Sequence, residues 1–367
     1  RGRFVFTTAA ILTAINFADS YNEFPYKLFG YDSDTSYESF LLQTLLSPWL
    51  GAIFVFIISC LLASAGEIIY RKLFPEKMAL EEFFTLRGLR SQEGRTGILL
   101  GILWCAVSLG YQIYYYYIGR KAGFWCPIQV DDYQIYASFL PWIGAISLAV
   151  FASSSEEILY RVLFIGFARK AGLKNFFLIN FLQATAWGFM HSSYEQQPCY
   201  ARGLEISIEG MLDGFILQRF GLLPCLLSHY MFDAFCCVTP LFKAPPSLAI
   251  SAAVPFLPVL IILFLSRKKT EEKPLLNKDL LLKENQEASV DEKLPVIEYN
   301  PIKWRLRWRI IAFIVAALGL VYLLDHKTEL YGEKVKVLKI DRPKAIEAAR
   351  MALVERKIDL SGYEAYT

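Results

Sequence analysis

The 367-residue chain has three histidines, and two of them, His191 and His229, fall inside long apolar stretches. Glu156, Glu157, Arg161 and Asp233 lie in apolar stretches as well. An ionisable group at the centre of a membrane helix costs about 2.5–3.5 kcal/mol on insertion scales, so such groups mark a functional site by default. Glu157 and Arg161 are four residues apart, on one helix face, and can neutralise each other. Glu156, rotated from Glu157 by about 100°, is left for a different partner. His229 and Asp233 repeat the four-residue spacing, which sets an imidazole and a carboxylate side by side. Carboxylates and imidazoles in an apolar setting can exchange protons with a water molecule or ligate a metal ion. His326, at the end of an apolar stretch, reads as a surface residue.

These groups need elements to hold them, and the composition says which kind. Hydrophobic residues make up 55% of the chain, aromatics 15% and charged residues 20%, with mean hydropathy +0.35. An ordinary soluble chain has about 45–50% apolar and 25% charged residues. Lipid is therefore the expected solvent, and the fold class is all-α, a polytopic transmembrane helix bundle. A net charge of +3 gives no reason to expect a nucleic-acid partner. Disorder and a disulfide-dense secreted fold are also poor fits.

Apolar windows place spans near 4–18, 41–66, 96–118, 135–168, 175–192, 222–239, 247–266 and 308–324. The loop after the second span carries Arg71, Lys72, Lys77, Arg87, Arg90 and Arg95, and an excess of Lys and Arg marks the cytoplasmic side. With eight spans, the basic Arg267-Lys268-Lys269 would fall outside. Residues 203–220 restore the rule if they also cross, although they contain Glu205, Glu209 and Asp213. Gly210 and Gly214 suit close helix approach there. Nine spans are expected: about eight core helices and one further helix.

The organisation read from the sequence is N-terminal transmembrane helices over 1–134, a helix core over 135–266, a charged linker over 267–307, an additional transmembrane helix over 308–324, and the start of a soluble α+β segment over 325–367. The N-terminus and the linker are expected in the cytoplasm, the C-terminus on the opposite side. In the last segment VKVLKI (335–340) reads as a strand, and Asp341 as the cap of a helix running through Arg356. The chain opens Arg1-Gly2-Arg3 without an initiator Met and ends before this segment could enclose a core, so it reads as a fragment or a processed product. Of the seven cysteines, Cys126 and Cys199 fall in loops on one side, where a disulfide would form in an oxidising compartment.

Two finer readings test the arrangement. Glu156 lies 16 residues before Gly172 and His191 lies 19 after it, so an antiparallel hairpin brings them to one level. His229 is 5 residues past Pro224 and would be shallower by about 15–20 Å if the turns were level. A sunken turn at 221–224 or a helix tilt must supply the difference. SAGEIIYRKLF (64–74) also echoes SSEEILYRVLF (154–164) at 7 of 11 positions, with Gly66 where the second copy has Glu156.

The ordered motifs resemble a known family. Glu156-Glu157-Ile158-Leu159-Tyr160-Arg161 resembles the EExxxR motif of the CAAX protease and bacteriocin-processing family, which includes the type II CAAX prenyl endopeptidases. Trp187-xxx-His191 resembles its FxxxH motif and His229-xxx-Asp233 its HxxxN motif, over roughly residues 135–240. The resemblance implies an intramembrane endopeptidase. Glu156 would be the general base, with His191 orienting the water, His229 as an oxyanion donor, and Glu157 and Arg161 in support. Trp187 for Phe is a change of size. Asp233 for Asn is a change of chemistry, because an ionised carboxylate donates no hydrogen bond; it would hold the tautomer of His229 or ligate a metal.

Neither spacing nor composition decides on a cofactor: Glu156, His191, His229 and Asp233 suit Zn²⁺ by ligand type, so metal-free and zinc-dependent mechanisms both stay open. Expected partners are membrane lipid and a peptide or lipidated protein, prenylated substrates being one class. Trp187, Phe189, Phe215 and Tyr230 would line a pocket for such a substrate or pack helices. The competing reading is a catalytically inactive scaffold or immunity-type protein of the same fold; a transporter is a third.

Overall fold

The computed structural model describes residues 2–32, 34–125, 137–243, 245–285, 310–311, 313–319, 321–322 and 342–356. They form an all-α membrane helix bundle. The main helices are α1 (Gly2–Asn22), α2 (Tyr37–Leu73), α3 (Gln92–Gly119), α4 (Pro141–Glu156), α5 (Phe176–Met190), α6 (Tyr200–Phe220), α7 (Leu222–Val238) and α8 (Leu257–Leu265). Among the described residues, Tyr37–Leu73, Gln92–Ala122 and Leu222–Phe242 are long and apolar enough to cross a membrane. Phe176–Met190 and Ile250–Leu265 are shorter apolar helices. The remaining bundle helices carry polar groups and turn them inward.

Helix α4 does not end at Glu156. Ser153, Ser154 and Ser155 each return a hydroxyl to the carbonyl four residues back, a contact that bends helices. The next eight residues, Glu157–Phe164, wind as a π-helix before Ile165–Lys170 resumes the α form. Such turns recur at functional sites because they re-aim side chains. Here Glu157 and Arg161 point into the bundle, 1% and 0% exposed.

Helices α5 and α6 pack at backbone distance. A Cβ on Gly210 would stand 2.9 Å from Trp187 Cε3, and one on Gly214 would collide with the Asn180 amide. The buried Asn180 and Gln183 side chains then donate to the carbonyls of Met211 (2.8 Å) and Gly210 (3.1 Å) across this contact. Both glycines are therefore spacers for close approach, the use the sequence suggested. Helix α3 closes the other side of α6, with the Tyr111 and Tyr115 hydroxyls on the carbonyls of Glu205 and Ala201.

The α6–α7 turn is buried. Residues 221–225 are all enclosed, and the Leu222 N–H donates to the Tyr70 hydroxyl at 3.2 Å. Lys77, in the loop after α2, donates to the Arg219 carbonyl at the end of α6. The turn thus lies beneath that loop, which removes the depth mismatch of His229.

The segment read as a charged linker is partly folded against the same loop. The Thr270 N–H donates to Arg90 O, Asn277 N to Lys77 O and the Asn277 amide to Phe74 O, while Ala79 N donates to Leu275 O. Asn277 is 2% exposed and opens helix α9 (Asn277–Asn285). Composition hid this docking because its contacts are mostly made by backbone. Both basic loops therefore share one end of the bundle, and the six helices α3 to α8 lie between them in the chain.

The echo between 64–74 and 154–164 has a structural counterpart. Glu67 and Arg71 form a buried ion pair as Glu157 and Arg161 do, and the two segments touch: a Cβ on Gly66 would lie 2.6 Å from Ile158. Beyond α9, Gly319 meets Gly110 of α3, and the Tyr322 ring packs on Tyr114 and Tyr117. The last described element is α10 (Arg342–Glu355), where a helix was expected. The expected strand at 335–340, the cap Asp341 and Cys126 of the considered disulfide lie outside the described residues.

Candidate active site

The bundle brings Glu156, His191 and His229 together from three helices. Glu156 Oε2 lies 3.8 Å from His191 Nε2 and 3.9 Å from His229 Nε2. These separations exceed direct hydrogen bonds, so the three groups face one another without bonding directly. The third neighbour of that oxygen is Trp187, whose indole N–H donates to it at 2.6 Å. Trp187 thus differs from the Phe of the motif in more than size: it is a hydrogen-bond donor.

The imidazoles differ in what holds their other nitrogen. His191, just past the end of α5, directs Nδ1 at the Trp187 carbonyl, 2.8 Å away. A carbonyl only accepts, so Nδ1 carries the hydrogen and Nε2 presents a lone pair in the neutral ring. His229 directs Nδ1 at Glu157 Oε1, 2.9 Å away, while its Nε2 lies 3.3 Å from Asp233 Oδ2. Both of its nitrogens face carboxylates, an arrangement satisfied by a ring carrying hydrogen at both.

Behind this layer lies a buried ionic network. Arg161 Nε is 3.3 Å from Glu157 Oε2, and Arg161 Nη2 donates to Asp213 Oδ2 at 2.9 Å. Trp104 of α3 donates to Asp213 Oδ1 at 2.6 Å. The Arg161 guanidinium also lies 3.6 Å from the centroid of the Trp187 ring, a cation–π contact. Further along α6, Glu205 pairs with Arg202 and accepts from the Tyr116 hydroxyl at 3.2 Å. Glu205, Glu209 and Asp213 are legible in the sequence as polar residues of a membrane helix, without an assigned role. Their four-residue spacing, one stripe on a helix, was the available signal.

A cavity of about 50 Å³ opens on the His191, His229 and Asp233 side, lined also by Trp187, Glu209 and Phe232. A water needs roughly 10–15 Å³ of such space, so a few fit. Of the four aromatics proposed to line a pocket, Trp187 does so. Tyr230 is buried and donates to Pro255 O at 2.7 Å, while Phe189 (44% exposed) and Phe215 (37%) turn outward. Phe215 packs instead on Phe176 and Phe177 of α5, with ring centroids 6.2 and 6.5 Å apart.

The ligand types suit zinc, but the donors are turned to one another. Among the described residues no group of three or more His, Cys, Asp or Glu side chains is disposed to hold a metal ion. Glu157 and Asp233 already face both nitrogens of His229. With both nitrogens of His229 facing carboxylates, this donor set does not present four free ligands to one metal ion.

Residues 138–235 match the Rce1-like type II CAAX prenyl endopeptidase family. The match spans about a quarter of the chain and takes in α4 to α7, with all three motifs. The comparisons with curated proteins and with solved structures gave no match. The Rce1-like family is one of intramembrane CAAX proteases, so the match implies that class of activity, a membrane setting and peptide or protein substrates. With the apolar helices it makes this an integral membrane protein.

Proposed function

We propose that the protein is an intramembrane endopeptidase in which Glu156 activates water against a peptide bond delivered from the membrane. The observation that carries this reading is the one carboxylate oxygen facing two imidazole Nε2 atoms, at 3.8 and 3.9 Å. A water held there donates one hydrogen to Glu156 and the other to the lone pair of His191 Nε2. Its oxygen attacks the carbonyl carbon of the substrate as Glu156 takes the proton. His229, with hydrogen on Nε2, donates to the oxyanion that forms. When the tetrahedral species collapses, the C–N bond breaks and Glu156 returns the proton to the leaving amine.

Glu157 supports His229 through Nδ1, and Arg161, held by Asp213, offsets the buried charge of Glu157. Asp233 attracts the same Nε2 hydrogen before substrate arrives and releases it to the oxyanion. The basic end, with the 74–90 loop and residues 267–285, is cytoplasmic by the positive-inside rule. The substrate class is a lipidated or otherwise membrane-delivered peptide, a prenylated C-terminal peptide being the first to try.

The test is cleavage of a farnesylated, fluorophore-quenched peptide by protein in lipid vesicles. Glu156→Gln and His191→Ala are expected to lower kcat by about 100–10,000-fold, the range of general acid–base catalysis, with the melting temperature held. Activity is expected to survive exhaustive chelation; its loss, with recovery on added Zn²⁺, would reverse the metal-free mechanism. A second reading, a non-hydrolytic scaffold of the same fold, is favoured by the Asp233 carboxylate beside His229 Nε2. It predicts no cleavage by the unaltered protein.

A further inference from the structure

Trp187 touches nearly every group at the centre of this bundle. Its N–H donates to Glu156 Oε2 at 2.6 Å, its carbonyl receives His191 Nδ1 at 2.8 Å, and its ring lies 3.6 Å from the Arg161 guanidinium carbon. The His191 and His229 rings stand edge-on to it at 5.6 and 5.7 Å between centroids. The indole is 6% exposed, and its benzene edge is admitted by the missing side chain of Gly210. A phenylalanine here would keep the packing and lose the donor.

We infer that Trp187 is a positioning residue for Glu156: its indole N–H fixes the carboxylate rotamer that faces both imidazoles, a task a purely apolar ring cannot perform. The inference rests on Glu156 as the water-activating base and adds how that base is held. A hydrogen bond on one oxygen narrows the orientations open to a carboxylate. With Nε1 as the tether and the Arg161 guanidinium over the ring, the carboxylate and the cation are both held by one buried indole, while the same residue's carbonyl holds His191. A hydrogen bond to an ionised acceptor is about twice as strong as a neutral one and correspondingly directional.

The test separates the donor from the bulk of the ring. Position 187 is replaced by Phe and, through suppression of a stop codon, by 3-benzothienylalanine, which has the indole shape with sulfur in place of N–H. Both variants are expected to lose about 10–100-fold in kcat on the farnesylated peptide, the effect of removing one charge-assisted hydrogen bond, with KM within about twofold. The same variants are followed by infrared spectroscopy, with the Glu156 carboxylate band assigned by its loss in Glu156→Gln. Its frequency is expected to move in both, whatever the activity. Benzothienylalanine with full kcat and an unmoved band would overturn the inference and leave Glu156 as the base. A moved band in a protein that cleaves nothing would instead retain the tether and remove the protease reading.

Discussion

His229 Nδ1 lies 2.9 Å from Glu157 Oε1, so two groups 72 residues apart in the chain share a hydrogen bond in a buried setting. His191 directs its own Nδ1 at a backbone carbonyl instead. The partner of the remote nitrogen divides the tasks: a carbonyl leaves the first ring neutral and accepting, and a carboxylate favours a second ring that donates. Glu157→Gln keeps the shape and removes the charge. It is expected to lower kcat by about 10–100-fold with little change in KM, measured on the farnesylated peptide beside Glu156→Gln as the inactive reference.

Arg161 is 0% exposed and has Glu157 and Asp213 as ionic neighbours. Replacing it by Met would leave Asp213 with only the Trp104 N–H and Glu157 with only His229, a loss of about 3–5 kcal/mol. Thermal unfolding in detergent should show a large drop in melting temperature, partly recovered by adding Asp213→Asn and Glu157→Gln. An unchanged melting temperature would mean the triad contributes nothing to stability.

Asp233 stands 3.3 Å from His229 Nε2, where the related motif has Asn. Asp233→Asn frees the imidazole hydrogen and supplies an amide donor to the oxyanion. The expected result is a rise in kcat of up to about tenfold, a fraction of what an oxyanion donor is worth. A fall would show that the carboxylate is needed as such.

Outside the membrane, Glu82 in the loop after α2 is 3% exposed. Burial pushes its carboxyl up, but hydrogen bonds from Arg87 and Thr85 and the Arg87 charge outweigh this and hold it below its ordinary range. A depressed carboxyl contributes stability that is complete above the unfolded value, near 4.5, and disappears as pH falls through the folded one. Limited proteolysis of the 74–90 loop should therefore accelerate as pH falls below about 4.5, and Glu82→Gln should be cleaved readily at neutral pH as well.

Much of the site was legible because helix spacing turns sequence into geometry. Glu157 with Arg161 and His229 with Asp233 are i, i+4 pairs, and the hairpin count put Glu156 and His191 at one level. The depth of His229 was not legible, since it depends on Tyr70 and Lys77, which are distant in sequence from the 221–224 turn. Asp213 was visible as a polar residue in a membrane helix, but its partners Arg161 and Trp104 come from other helices. Trp187 was judged by volume because its motif position usually holds an apolar ring; only the placement of Glu156 Oε2 reveals the indole as a donor. The docking of 270–285 was hidden because backbone amides have no side-chain signature.

The enclosed turn between α6 and α7 has a mechanical consequence. Its height is set by a tyrosine hydroxyl and a lysine ammonium, so the second imidazole is registered to the protein's aqueous cap rather than to the lipid around it. Vesicles of shorter or longer acyl chains would tilt the outer helices and leave the reacting groups in alignment, so turnover should vary little with bilayer thickness.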